Sequence, residues 1–370
     1  MEKESYNQLR ERFQNFFLRY PELKWKKQVQ VVNDSYPGTF NLSFNEPEHL
    51  KTFNNYINYN KKLFFGKIQP VIRYNDFLEK IVPNKDAYKY LGLFDMGGIS
   101  LTYPDSKNMK EIVEKIIELG FNFLIKELGL DKNSLFIKLS AGGTVSDMTG
   151  GKYEFHKRIP PDTLSLKKWL KLGLKKEQII FDSTRDTFLA LSLFGHPSPW
   201  GYRAEILYNI KGDRKNLLDI GTIEYCPWKP VIKNEKIVDI VRNTGFSTLI
   251  VFGLERLLLA KNKYKHIMEC DHILPLYKKI FSDTKIKDQH KSFVLIESIR
   301  VVYRILADVE DKKLGRHQKQ KLRYYQKTIS DLFNKLDIKK ERIKTYLELY
   351  SKLNPFYPEF SNSAQKRPHF

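Results

Sequence analysis

One arginine of this sequence sits in the opening turn of an expected helix, a place from which a guanidinium can do chemistry. Arg256 lies in the run Gly253-Leu254-Glu255-Arg256-Leu257-Leu258-Leu259-Ala260. Fixed on rigid structure, an arginine presents a fork of donors that grips phosphate oxygens two at a time. The same run equally suits a buried amphipathic helix whose arginine reaches outward along its apolar stem. Glu224 is an acid inside an otherwise apolar strand, and it suits either a pocket or a solvent-facing position. Arg300, Arg304, Arg316, Lys319, Lys321 and Arg323 fall in helical sequence near the C-terminal end, where a basic face could follow a phosphate backbone. Neither phosphate-loop spacing, G-x-x-x-x-G-K or G-x-G-x-x-G, is convincingly present, so any ATP site is of another kind. Cys226 and Cys270 are the only cysteines, which gives no disulfide framework and no zinc cluster, and a reducing, cytoplasmic setting fits.

These groups have to be positioned by folded structure, and the composition supplies it. Hydrophobic residues make up 41% of 370, with 25 Phe and 21 Tyr, enough for one large core or two smaller ones. No stretch approaches the roughly 18 to 20 apolar residues that span a bilayer, and the charged start argues against a secretory signal. The net charge of +21 favours a polyanionic partner, nucleic acid before anionic membrane, although lysine-rich usage also follows from an AT-rich genome.

The spacing of apolar residues predicts a helix over 5–20, then antiparallel sheet through 28–32 and 39–44 around a turn at 36–38. A helix is expected over 108–128, a strand over 135–139, a short helix over 165–172 and a strand over 178–181. Paired strands follow at 202–210 and 217–225, with a turn at 211–213. From 254 onward helices dominate, with strong patterns at 292–308 and 316–336. The expected fold class is α+β, an antiparallel sheet flanked by helices and followed by a smaller all-helical domain. We expect a catalytic unit over 1–275, a helical unit over 276–354 and a loose, proline-bearing tail over 355–370.

Two segments together resemble the catalytic core of class II aminoacyl-tRNA synthetases, the alanyl type in particular. The run 253–260 is similar to motif 3 of that class. The run from Gly195 to Asn209 resembles the alanyl pattern G-D-T-G-P-C-G-P-C-T-E-I-F-Y-D without a gap. Asp186-Thr187-Phe188 resembles D-N-F, Leu218 to Ile223 resembles L-E-I-W-N-I, and Glu297 to Asp308 resembles D-H-I-R-A-C-A-F-L-I-A-D of the helical tRNA-recognising domain. Gly315-Arg316 with Leu322-Arg323 resembles G-R-G-Y-V-L-R-R. Val71-Ile72-Arg73 and Phe94 to Ser100 are fainter matches to motif 2; outside the resemblance, Arg73 reads as a surface arginine on a strand.

The resemblance implies an adenylate-forming ligase: an amino-acid carboxylate attacks the α-phosphate of ATP, pyrophosphate leaves, and the acyl group passes to tRNA. A carboxylate is already ionised at neutral pH, so no general base is required and positioning with electrostatics does the work. It further implies catalytic Arg73 and Arg256, an ATP site of Arg73, Phe94, Asp95, Met96, Gly253 and Arg256, and Mg²⁺ on Asp219 and Glu205, although Glu205 suits a structural role between strands as well. The amino-acid site would hold Leu189, Thr222, Glu224 and Leu249, and the basic residues of 300–323 would bind tRNA. Members of this class often form homodimers.

Departures accompany the matches. The alanyl aspartate that holds the substrate ammonium is Leu249 in the ungapped match and an uncharged amide in the alternative through Asn243-Thr244-Gly245, so alanine is not the expected substrate, and Glu224 is the replacement acid. The sequence ends before the family's editing domain begins. An activating enzyme with a non-tRNA acceptor (a carrier protein, peptide or small molecule), or a non-catalytic paralogue, is the alternative expectation.

Overall fold

The computed structural model describes residues 3–33, 36, 38–44, 48, 53–54, 57–84, 87–153, 155–193, 196–210, 212, 216–309 and 313–360. Helix α1, Tyr6–Leu18, starts on a capping box between Ser5 and Gln8, and buries Leu9, Phe13, Phe16 and Phe17. The strands of the main sheet are β1 (Lys24–Trp25), β2 (Leu63–Ile72), β3 (Leu93–Tyr103), β4 (Leu135–Ser140), β5 (Ile179–Asp182), β6 (Phe188–Leu193), β7 (His196–Tyr208), β8 (Leu218–Lys233) and β9 (Lys236–Gly253). They join in one nine-stranded sheet, in the order β1-β2-β3-β9-β8-β7-β4-β5 with β6 on β7. Every central pairing is antiparallel; the parallel pairs are at the two edges, β1 on β2 and β4 on β5. The α+β expectation, an antiparallel sheet flanked by helices and followed by helical structure, describes this fold.

One face of the sheet is packed. Helix α2, Met109–Asn122, lies so close that a Cβ on Gly120 would collide with the Ile250 side chain of β9. Phe13, Phe123 and Phe252 meet edge to face or tilted between α1, the end of α2 and β9. Helix α3, Thr163–Lys171, sets Trp169 edge-on against Phe121 of α2. Helix α4, Leu254–Asn262, continues β9 without a loop and buries Leu254, Leu257, Leu258 and Leu259. The C-terminal part consists of α5 (Leu274–Asp283), α6 (Gln289–Val309), α7 (Arg316–Lys335) and α8 (Arg342–Leu353), with α6 buried along nearly its whole length.

Several expectations are corrected. Residues 28–32 and 39–44 form no strand: Val29 exchanges hydrogen bonds with the side-chain amide of Gln69, and Val31 donates to Asp308 at 2.6 Å, so side chains satisfy backbone that a ladder would have paired. Lys211 and Asp213 of the expected turn lie outside the described residues, as do 361–370. Residues 355–360 are not loose. Tyr357 and Phe360 are buried, Tyr303 donates to the Phe360 carbonyl at 2.7 Å, and Glu359 pairs with Arg304 at 2.5 Å.

Candidate active site

The open face of the sheet forms the floor of a cavity of about 650 Å³, within the usual range for small-molecule sites. Cross-strand pairing explains its lining, since residues directly opposite in an antiparallel ladder share a face. One row runs Ser100, Leu249, Glu224, Arg203 across β3, β9, β8 and β7. The next runs Gly98, Val251, Thr222, Glu205 and on to Lys138 of β4. Leu249, Val251, Thr222, Glu224, Arg203 and Glu205 all reach the cavity, and Phe94, Met96, Arg73, Gly253 and Arg256 line it as well.

Asp219 reaches the cavity through an irregularity. Strict alternation along β8 would turn it away from Thr222 and Glu224. The ladder shifts between Ile206 and Leu207 of β7, so that Gly221 faces Ile206 while Asp219 faces Leu207. The extra residue rotates Asp219 onto the cavity face, as a bulge does.

The arginines converge. Arg256 donates through Nη1 to the Asp219 carboxylate at 2.9 Å and to its carbonyl at 3.1 Å, and through Nε to the Lys89 carbonyl at 3.3 Å. Its guanidinium carbon lies 5.8 Å from the centre of the Phe94 ring and 5.7 Å from that of Tyr90. Arg73 is partly exposed and lines the cavity, and its guanidinium has no hydrogen-bond partner among the described residues. Burial lowers the Arg73 pKa from its ordinary value, Asp76 opposes this, and the charges of Arg203 and Arg256 lower it further. An unpaired guanidinium beside two like charges is stabilised by an incoming anion.

The acids are distributed among these cations. Glu205 pairs with Lys138 at 2.6 Å, and its pKa is raised by burial, against the Lys138 hydrogen bond, with further increase from Asp219 and Asp186. Glu224 accepts from Arg203 Nε at 3.0 Å. Among the described residues, no group of three or more His, Cys, Asp or Glu side chains is arranged to hold a metal ion by protein ligands alone.

Some sequence-derived positions fall elsewhere. Asp95 points to the packed side, because the pleat sends it opposite to Phe94 and Met96. There it accepts from Tyr6 at 2.6 Å and from Arg10 and Tyr357. Leu189 is buried in β6 outside the cavity, while Leu191 and Ser192 of the same strand line it. Arg300 and Arg304 are 1% exposed, so they form no outer basic face. Arg300 binds Glu297, the Leu93 carbonyl at 3.0 Å and Tyr350 at 3.2 Å, and Arg304 binds Asp308 at 2.5 Å. Asn243 of the alternative match donates to the Ile57 carbonyl at 2.9 Å and does not line the cavity. Arg203, Lys80 and Lys89 are further lining cations that the sequence expectations do not include; for Arg203 the signal is parity with Glu205 along one strand. Gly195 lies outside the described residues.

Among solved structures, the chain is similar to the apo histidyl-tRNA synthetase of S. aureus, with a TM-score of 0.36 and 10% identity over 68% of this chain and 64% of that one. It thus spans slightly less than two thirds of that enzyme. It is also similar to the pyrrolysyl-tRNA synthetase of Desulfitobacterium hafniense, with a TM-score of 0.35 and 11% identity over 72% of this chain and 73% of that one. No family model and no curated protein sequence matches it.

Proposed function

We propose that this protein activates an amino acid with ATP, forming an aminoacyl adenylate and pyrophosphate, and transfers the acyl group to tRNA. The observation that carries the reading is the convergence of Arg73 and Arg256, from β2's end and α4's start, on one cavity over an antiparallel sheet. Two guanidinium forks on one void suit a polyphosphate better than any single charge would. Phe94, Tyr90 and Met96 provide an apolar wall for the base beside Arg256. Glu224 receives the substrate ammonium, with Thr222 and Leu249 beside it in the pocket.

The carboxylates fit Mg²⁺ in the way that ion is bound in nucleotide sites, by one or two acids plus substrate phosphates. Asp219 and Glu205 share the cavity and sense each other's charge. They would hold the ion, which neutralises phosphate charge when present.

The tRNA surface is the outer face of α7. Arg316, Lys319 and Arg323 are exposed, and Lys321 is half-buried where it donates to the Gly38 carbonyl at 3.3 Å. Gln318 ties this helix to the Tyr36 and Thr39 carbonyls, in the stretch whose Ser43 and Phe44 line the cavity. We place the catalytic unit at 1–275 and the tRNA-recognising unit at 276–354. No helix among the described residues is long and apolar enough to cross a membrane.

Amino-acid-dependent exchange of labelled pyrophosphate into ATP, run with each amino acid singly, tests the activity. Stimulation by at least one supports it; no stimulation by any refutes it.

A further inference from the structure

Arg203 stands where the alanyl pattern has a cysteine, so the resemblance assigns it nothing. Its surroundings do. It sits in register with Glu224 on β8, which is in register with Leu249 on β9, and all three line the cavity. Its Nε is fixed on Glu224 at 3.0 Å, a bond that orients the plane of the guanidinium. The two terminal amino groups have no partner among the described residues, and the side chain remains 34% exposed toward the void. Its positive charge acts on Arg73 more strongly than that of Arg256 does. Arg203 is therefore bonded to the acid suited to an ammonium group and lines the same cavity as the guanidinium suited to the α-phosphate.

A free α-amino acid carries an ammonium and a carboxylate one carbon apart. A cross-strand acid and arginine, already hydrogen-bonded to each other, offer opposite charges at comparably short range. An ion pair of this kind on a solvated sheet contributes little to stability, so the exposed fork is more useful as a ligand than as a brace.

We propose that Arg203 binds the carboxylate of the amino-acid substrate and holds it against the α-phosphate at Arg73, while Glu224 binds the ammonium. The proposal rests on the adenylate-forming reading of the cavity. In the reaction a carboxylate oxygen attacks the α-phosphorus and forms a new O–P bond. The bond from that phosphorus to the bridging oxygen breaks, and pyrophosphate leaves with the electron pair. No proton moves, so the demand on Arg203 is orientation and charge.

The test uses the full chain, with pyrophosphate exchange measured for wild type, Arg203→Gln, Arg203→Lys and Glu224→Gln, using the amino acid that best stimulates the wild type. ATP affinity is measured separately by calorimetry, and folding by circular dichroism. For Arg203→Gln, kcat/KM for the amino acid is expected to fall by about 100- to 1000-fold while ATP affinity changes less than about 3-fold. The lysine variant recovers part of the loss, because it restores charge without the fork. The amino alcohol of that substrate, which lacks the carboxylate, should inhibit wild type and Arg203→Gln equally, and Glu224→Gln much less. Exchange by Arg203→Gln within about 3-fold of wild type, or an ATP affinity that falls as much as exchange, overturns the assignment to the carboxylate. A wild type that binds ATP yet exchanges with no amino acid overturns the adenylate-forming reading instead, and this proposal with it.

Discussion

The two faces of strand β3 carry charged groups in opposite states. Toward the cavity, beside Phe94 and Met96, the Arg73 guanidinium has no protein partner among the described residues, and Arg203 and Arg256 keep part of their forks unpaired there. Behind the same strand Asp95 accepts from Tyr6, Arg10 and Tyr357; its N–H donates to Glu255; and Glu297 with Arg300 clasps Gly92 and Leu93. Buried charge is tolerable only when paired and hydrogen-bonded. Charge at a cavity wall can wait for a ligand. Identical residue types thus brace the protein on one side and serve the site on the other.

Removing a brace should break this contrast most visibly. Arg300→Ala leaves Glu297 buried without its cation, and a loss of about 3–5 kcal/mol is expected in urea denaturation. A loss below about 1 kcal/mol would mean that the clasp does not hold α6 to β3. Arg73→Ala should do the reverse: stability within about 0.5 kcal/mol of wild type, because no protein hydrogen bond is removed, but pyrophosphate exchange lower by about 100- to 1000-fold. If the Arg73 variant instead unfolds at lower denaturant, its guanidinium is a brace after all.

Acidity sharpens the same contrast. Burial and then the Asp95 charge push Glu255 up to about 8 from its ordinary 4.5, against the opposing charge of Arg300. A carboxyl raised in the folded state contributes stability that is fully present below the usual carboxylate range and is lost as pH rises toward 8. The wild type should therefore lose stability between about pH 5 and 8 relative to Glu255→Gln, followed by denaturation across that range. His272, 3.7 Å from Glu255, is lowered to about 3, first by burial and then by Arg300, so it stays neutral through the window. Equal slopes for the two proteins would show that Glu255 ionises as freely folded as unfolded.

The smallest effect concerns the outer face. Replacing Arg316, Lys319 and Arg323 of α7 by alanine should leave exchange unchanged and weaken tRNA binding. The log–log salt dependence of that binding should become shallower by about 2–3 units, one for each phosphate that is no longer neutralised. An unchanged slope would place the nucleic-acid surface elsewhere.

Parts of the cavity lining were legible where neighbouring lining residues are local in the chain. The resemblance of the run at Gly253 implied a strand-to-helix junction, and β9 does run directly into α4. Phe94 and Met96 share a face by the two-residue period of any strand, and that same period should have excluded Asp95. Arg203 was legible by the identical rule from Glu205.

The sequence by itself determined the α+β class, the helices at 6–18, 109–122, 289–309 and 316–335, and the helix opening that carries Arg256, because apolar period and turn chemistry are short-range. Tertiary structure alone decided which cations were free. Arg300 and Arg304 looked like Arg316 in the sequence, yet α6 became a buried core helix and its arginines found Glu297, Asp308 and Glu359. A bulge against β7 turned Asp219 toward the cavity, and the chain beyond Pro355 folded back to cap Asp95. Most of these outcomes depend on partners tens to hundreds of residues away, and the desolvation that forces such pairings exists only once the chain has closed around them.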